Sequence, residues 1–185
     1  MCHPCRFLGV LCASIVFASA VLAENADRTF AIPQTGVTFL TGDSWQQVGQ
    51  RFRLYGVQSC LRGTFYTDKA GGHQDCGTVS TAMLASFVRD LKPTCSPVAQ
   101  IAVGGSQPGT LLVICTGEVH GKMLDLGATM ITQGFAFAAI DNASHPVYLP
   151  YLIEEGIAQQ ARKGLWAFAD LPHPNSALLP AKPMP

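Results

Sequence analysis

Four cysteines in the middle of the chain limit its possible folds more than any other sequence feature. Cys60, Cys76, Cys95 and Cys115 allow three disulfide connectivities. Cys95 and Cys115 lie symmetrically about Gly105, in two apolar segments that flank the turn sequence GGSQPG. In an antiparallel hairpin centred there, they face each other within disulfide reach. We therefore predict a Cys95–Cys115 disulfide, which leaves Cys60–Cys76; four thiols around a zinc ion are the alternative.

The first 23 residues are typical of a secretory signal peptide. A single charge at Arg6 precedes an uncharged apolar run that ends in small residues. The run is short for a membrane-spanning helix, and no later segment of the sequence could cross a bilayer. We predict a periplasmic or secreted protein after cleavage, with an uncleaved membrane anchor as the alternative. Export to an oxidising compartment favours disulfides over a zinc site.

The charge balance excludes a general attraction to polyanions. The chain contains 12 Lys+Arg and 12 Asp+Glu, and its formal net charge is zero. Such a chain has no overall electrostatic pull on nucleic acid or an anionic membrane, although a local basic patch is still allowed. Composition divides the chain into the signal (1–23), an N-terminal lead-in (24–34), one domain (35–168) and a proline-rich tail (169–185) that is expected to be extended or mobile.

The first half of the domain has the pattern of a curling sheet followed by a helix. Three short strands are predicted within residues 35–57, and their spacing suggests a barrel. The polar residues 61–75 predict a long surface loop. A helix follows, capped by Thr78 or Ser80 and stopped at Pro93.

The second half predicts two further helices. One covers residues 124–133 and ends at Gly134, and the apolar segment FAFAAI follows it as a short strand. The other covers residues 147–163. Apolar residues at helical spacing are expected to form its buried face: Leu152, Ile153, Ile157 and Ala161.

Four motifs in this order resemble the staphylococcal nuclease-like (thermonuclease) family. They are TGDS (41–44), RFRLYGV (51–57), LDLGATMITQGFAFA (124–138) and YLIEEGIAQQARKGLW (151–166). The resemblance implies an α+β fold: an OB-type five-stranded β-barrel with three α-helices. It also implies Ca²⁺-assisted phosphodiester hydrolysis, in which two aspartates hold the metal, a glutamate activates water and two arginines stabilise the transition state.

The resemblance carries only part of that site over to this chain. Asp43 matches the second aspartate of the family's Asp-Gly-Asp turn, and Arg53 matches the first arginine. Other residues replace the first aspartate of the turn, the other metal-binding aspartate, the general base and the second arginine: Thr41, Gln58, Leu61 and Thr110, respectively. A gapped alignment deletes the segment after the RLYG strand instead, and it loses the same carboxylates.

These replacements predict that the site has lost its catalysis. Asp43 alone supplies too little anionic oxygen for Ca²⁺, and Leu61 cannot accept a proton. We expect a binding or accessory module without a cofactor, whose barrel face binds a protein, an oligonucleotide or an oligosaccharide. The alternatives are an active nuclease with a rearranged calcium site, and an accessory factor in envelope or exopolysaccharide assembly.

The other residues that could carry chemistry are predicted to be structural. Arg53 is expected to pair with Asp43 or another carboxylate rather than with phosphate. Three histidines without zinc-like spacing are assigned to the surface, two adjacent glutamates to a solvated helix face, and three tyrosines to core or rim packing. These residues are His73, His120 and His145; Glu154 and Glu155; and Tyr55, Tyr148 and Tyr151.

Overall fold

The computed structural model describes residues 29–102 and 109–178. The predicted signal peptide, most of the lead-in and the end of the tail lie outside these residues. Within them the chain has an α+β architecture, in which helices pack on a strongly curled sheet that forms a half-barrel. None of the helices in these two segments is long and apolar enough to span a membrane.

The described segments contain eleven strands, four α-helices and one 3₁₀ turn. The strands are β1 (Phe30–Ala31), β2 (Val37–Thr41), β3 (Ser44–Gln47), β4 (Gln50–Leu54), β5 (Val57–Ser59), β6 (Phe65–Thr67), β7 (His73–Asp75), β8 (Thr94–Ile101), β9 (Thr110–Val119), β10 (Lys122–Asp125) and β11 (Ala136–Ala138). The helices are α1 (Cys76–Leu91), α2 (Leu126–Thr132), α3 (Leu149–Gln160) and α4 (Pro174–Leu178), and the 3₁₀ turn is Gly164–Ala167.

The main sheet joins the predicted meander to the predicted hairpin. Its order is β1-β8-β9-β4-β3-β2, and β10 pairs with the other part of β9. The pairs β2–β3 and β3–β4 are antiparallel, whereas β4 lies parallel to β9. Phe52 and Leu54 of β4 are buried on one face, as the alternation predicts. The core lies between this sheet and helices α1 and α2.

Both predicted disulfides are present. Cys95 of β8 lies directly opposite Cys115 of β9, with the two Cα atoms 3.9 Å apart. The second bridge joins Cys60, just after β5, to Cys76, the first residue of α1. Because all four cysteines are buried, the two bridges are part of the core as well as covalent links.

The observed elements outnumber the expected five strands and three helices. The main sheet has seven strands in the described residues, because β1 forms within the lead-in and β10 replaces the start of the predicted second helix. The fourth helix, α4, lies in the predicted tail. The strands β1 and β10 are too short for a periodic pattern of their own, and pairing with β8 and β9 stabilises them.

The predicted loop at 61–75 contains a hairpin, β6–β7. Asp68 turns the chain by accepting hydrogen bonds from the backbone N–H of Gly72, the side-chain amide of Gln74 and the backbone N–H of Ala70, and these bonds lower its pKa. Asp75, rather than Thr78 or Ser80, caps α1, because its carboxylate accepts the N–H of Thr78. The cap therefore lies earlier than predicted, and α1 begins at the disulfide itself.

Helix α3 packs with the opposite face from the one predicted. Its inner residues are Tyr151, Glu155 and Ala158, whereas Leu152, Ile153 and Ile157 are 41%, 59% and 61% exposed. Apolar spacing identifies a stripe along a helix, but it does not say whether the domain or something else covers that stripe. The prediction of this buried face is therefore wrong.

The predicted tail begins with an ordered segment, the C-terminal strap (residues 170–178). The carboxylate of Asp170 accepts the N–H of Thr67 at 3.0 Å. His173 packs edge-on against Phe137, and its Nε2 lies 2.8 Å from Oε1 of Glu155. These contacts hold the strap over a second buried cluster: Cys60, Tyr66, Cys76, Phe137 and Leu165.

Candidate functional site

A cleft of about 370 Å³ lies where the β2–β3 turn, the end of β4 and the strand β5 meet. Its walls include five of the six positions that the resemblance singles out: Thr41, Asp43, Arg53, Gln58 and Leu61. The sixth, Thr110, lies elsewhere. It begins β9 and pairs with Arg51, which is two residues before Arg53 on β4.

Asp43 is the buried acid of this cleft, and only 3% of the residue is exposed. One carboxylate oxygen accepts the Nε–H of Arg53 at 2.8 Å, and the other accepts the hydroxyl of Thr41 at 2.5 Å. The Thr41 hydroxyl is also hydrogen-bonded to the hydroxyl of Ser44. Both oxygens of the carboxylate are therefore engaged by the protein's own donors.

Arg53 reaches this position from β4, where it lies opposite Ser44 of β3. Its Nη2 donates to Oε1 of Gln58 at 2.8 Å, and the Gln58 amide donates in turn to the carbonyl of Ser59 at 3.0 Å. The guanidinium is thus held between a carboxylate and a neutral amide. Its side chain remains 36% exposed towards the cleft.

The turn that carries Asp43 is pressed against α1. A Cβ atom on Gly42 would lie 1.9 Å from Oγ of Ser80, so only glycine fits here. Ser80 is itself anchored by donating to the carbonyl of Phe135. The backbone carbonyl of Asp43 also accepts the N–H of Leu54, which ties the turn to β4. The position of the acid is therefore set by backbone packing from two sides.

The sequence did not single out two residues that also line the cleft. Arg62 donates to the carbonyl of Leu40 and keeps its side chain exposed. Leu178, the last described residue of the C-terminal strap, closes another side. With Arg53, Arg62 and Asp43 as its charged lining residues, the described cleft has a net charge of one positive unit. It therefore attracts an anion more than a cation.

The donor set does not fit Ca²⁺. Calcium sites take six to eight oxygens, usually with several carboxylates, whereas Asp43 is the one carboxylate among the described lining residues. The guanidinium of Arg53 already bonds to this carboxylate. Across residues 29–102 and 109–178, moreover, no group of three or more His, Cys, Asp or Glu side chains could hold a metal ion.

Replacing Asp43 by alanine is expected to lower the free energy of unfolding by about 2 kcal/mol. Breaking a fully buried ion pair typically costs about 3–5 kcal/mol, and the partial exposure of Arg53 lets water take over part of the lost interaction. Urea unfolding of the two proteins measures the difference. The exposed pair Arg89–Asp90 provides the control, since Asp90→Ala should cost less than about 0.5 kcal/mol. Equal losses in both variants would contradict the assignment.

The acid pair on α3 separates into two roles that the sequence did not predict. Glu155 is buried, and it accepts the N–H of Ala138 at 2.6 Å as well as bonding to His173. Burial raises the pKa of Glu154, and the neighbouring Asp125 raises it further. Solvation of both glutamates was therefore a wrong prediction. The apolar stripe of α3 faces outward, and its two acids face the protein.

The remaining residues are placed largely as predicted. His73, His120 and His145 are exposed. Tyr151 is buried and donates to Asp125 at 2.7 Å, and burial together with this carboxylate raises its pKa. Tyr148 lies edge-on against Tyr151 at the rim. Tyr151 therefore packs in the core and Tyr148 at the rim, as predicted.

His173 lies in a partly buried hydrogen-bond network that the sequence did not indicate. Its Nε2 bonds to Glu155, while its Nδ1 accepts the backbone N–H of Asn175 at 3.2 Å. Both ring nitrogens are therefore used to hold the strap, which leaves neither free as a base. The sequence could have indicated this role of His173 only if the inward orientation of Glu155 were already known.

Comparison of the chain with known protein-family models and with curated proteins finds no match.

Proposed function

We propose that the chain is an exported, staphylococcal nuclease-like domain whose OB-type barrel binds a partner or ligand and no longer hydrolyses phosphodiesters. In support of the fold, three antiparallel strands precede α1, and β4 lies parallel to β9 of the following hairpin. The GLW sequence after α3 also docks on Gly134, with the N–H of Leu165 donating to its carbonyl. These features agree with the order that the four motifs imply.

One observation carries the loss of activity: the cleft's carboxylate and its guanidinium neutralise each other. Asp43 would be needed as a metal ligand, and Arg53 would be needed to stabilise charge on phosphorus. In this arrangement the two side chains bond to each other, with Nε of Arg53 2.8 Å from Oδ2 of Asp43. Gln58 accepts a hydrogen bond from Arg53, and its side chain is an amide rather than a second carboxylate. Loss of a single electrostatic donor typically costs about 10²–10³ in rate, and several parts of the site are missing together.

The net positive charge of the cleft supports a binding role. Arg62 is exposed at the rim, and Arg53 is partly exposed within it. The Asp43 carboxylate balances Arg53, so the Arg62 guanidinium is the group that an anion on a partner or ligand would approach without a metal ion. Single-stranded DNA is the anionic probe for this binding role.

The decisive experiment is a cleavage assay on single-stranded DNA, with Ca²⁺ and with a chelator. We expect no sustained turnover in either condition. Residual cleavage that persists in Asp43→Ala and Arg53→Ala would be contamination and would leave the proposal intact. Calcium-dependent turnover that both substitutions abolish would instead establish an active nuclease with a rearranged site.

Binding of the same labelled oligonucleotide at low salt tests the other half of the proposal. Arg62→Gln is expected to weaken binding, because it removes a guanidinium from the cleft. Arg51→Gln removes the same charge from an exposed position on β4 outside the cleft, so it serves as the matched control. Equal weakening by the two substitutions would reject the cleft as the binding face.

A further inference from the structure

The outer face of α3 is an apolar surface that the described part of the chain leaves open. It consists of Leu149, Leu152, Ile153, Gly156 and Ile157, a set we call the α3 face. Leu149, Ile153 and Ile157 are each more than half exposed. The residues recur at three- and four-residue intervals over the 12 residues of α3, so they form one continuous stripe. Contiguous exposed apolar surface of this kind marks an interaction site.

The α3 face carries no charge. The helix contains two ionisable carboxylates, Glu154 and Glu155, and both are turned towards the protein: Glu155 is buried, and Glu154 is half-buried. Because the face has no charges of its own, a charged partner surface would lose hydration without gaining an ion pair. An uncharged partner surface matches it electrostatically.

The shape of the α3 face complements itself. Gly156 lies between Ile153 and Ile157 in the stripe. Apart from its chain neighbours and the nearby backbone of its own helix, no described atom lies within 4 Å of the position that its Cβ atom would take. A twofold interface requires the same patch to supply both the projecting side chain and the recess that receives it. This face supplies both within two helical turns.

A membrane surface fits the same face poorly. Helices that lie on membranes carry lysine and arginine along their polar side to meet anionic headgroups. The two charged residues within α3 are both glutamates. The charges of α3 therefore disfavour binding to a lipid surface. They do not disfavour binding to an uncharged protein surface.

We infer that the α3 face is the interface of a homodimer, in which two copies of α3 pack across a twofold axis near Gly156. The helix is about 18 Å long, and the contact covers only a few hundred Å² on each copy, against roughly 800 Å² per partner in a standard interface. The dimer is therefore weak, and it forms as concentration rises. It uses a surface separate from the Arg53 cleft, so it does not depend on the binding role proposed above.

Sedimentation equilibrium over a range of about 1 µM to 1 mM tests the interface. The weight-average mass of the unaltered protein is expected to rise about twofold, from one chain to two. Ile153→Lys, or Ile157→Lys, should keep the mass at one chain throughout. Met123→Lys provides the matched control, since Met123 is an exposed apolar residue on β10 and its replacement should leave the rise unchanged.

A thiol at Gly156 identifies what covers the face. In Gly156→Cys, the reaction rate with a maleimide should be fast in dilute solution and should fall with rising concentration, in parallel with the mass. A thiol that is slow at every concentration in a one-chain species would mean that another segment of the same chain covers the face. A thiol that is fast at every concentration would mean that nothing covers it. Either of these last two results overturns the dimer.

Discussion

Replacing Glu155 by alanine is expected to lower the free energy of unfolding by about 3 kcal/mol, because the change leaves a buried backbone donor without a partner. The Glu155 carboxylate accepts the N–H of Ala138 at 2.6 Å, and Ala138 itself is fully buried. The same carboxylate bonds to His173 of the C-terminal strap. Alanine therefore removes one core interaction and one strap interaction together. Urea unfolding of the purified variant measures the sum.

Two further substitutions separate these contributions. His173→Ala should loosen the strap while it spares the bond to Ala138, so it should increase proteolysis within 170–178 with a smaller loss of stability. Glu155→Gln retains one acceptor and should fall between the other two variants. Gln160→Ala, an exposed change on the same helix, should cost less than about 0.5 kcal/mol. If Glu155→Ala were as mild as Gln160→Ala, the buried network would be wrong.

Removal of the Cys95–Cys115 disulfide is expected to cost about 3 kcal/mol. The bridge joins positions 20 residues apart, and closing a loop of that length restricts the unfolded chain by about this amount. The Cys60–Cys76 bridge, with a separation of 16, should contribute nearly the same. Removing both would take away about 6 kcal/mol, which is comparable to the whole stability of many domains.

Alanine pairs at each bridge, and at both together, test this expectation by urea unfolding. The unaltered protein in reductant should behave like the variant that lacks the four bridged cysteines, since both have lost the same restraints. A double variant that unfolds at the urea concentration of the parent would show that its disulfide does not restrain the unfolded chain. Unequal losses would instead measure differences in native packing around the two bridges.

The sequence predicts this fold where each pattern has one physical solution. Alternation places Phe52 and Leu54 on the buried face of β4, and the symmetry about Gly105 pairs Cys95 with Cys115, because strand registers follow from such local rules. Arg53 was expected to pair with Asp43 or another carboxylate, and it forms an ion pair with Asp43. In each case, the residue's neighbours along the chain determine its partner.

Prediction fails where the partner lies far along the chain. The stripe on α3 is visible in the sequence. Its exposure, however, depends on the hydrogen bonds that the inward-facing Glu155 makes with Ala138 and His173. The resemblance drew attention to Gln58 as a replaced position, yet its bond to Arg53 depends on the geometry of the cleft. Leu178 lines the same cleft because the contacts of Asp170 and His173 hold the strap against the domain. Polar bonds of this kind have no periodic signature.

The connectivity of the two disulfides bears on how the chain can mature. Each bridge joins cysteines that follow one another in the described sequence, Cys60 with Cys76 and Cys95 with Cys115. An oxidase that links each thiol to the next one emerging during synthesis therefore produces both native bridges directly. Interleaved pairs would require thiol–disulfide exchange through a mixed intermediate, which is slow without an isomerase. For these four cysteines, the order of synthesis and the order of correct oxidation coincide.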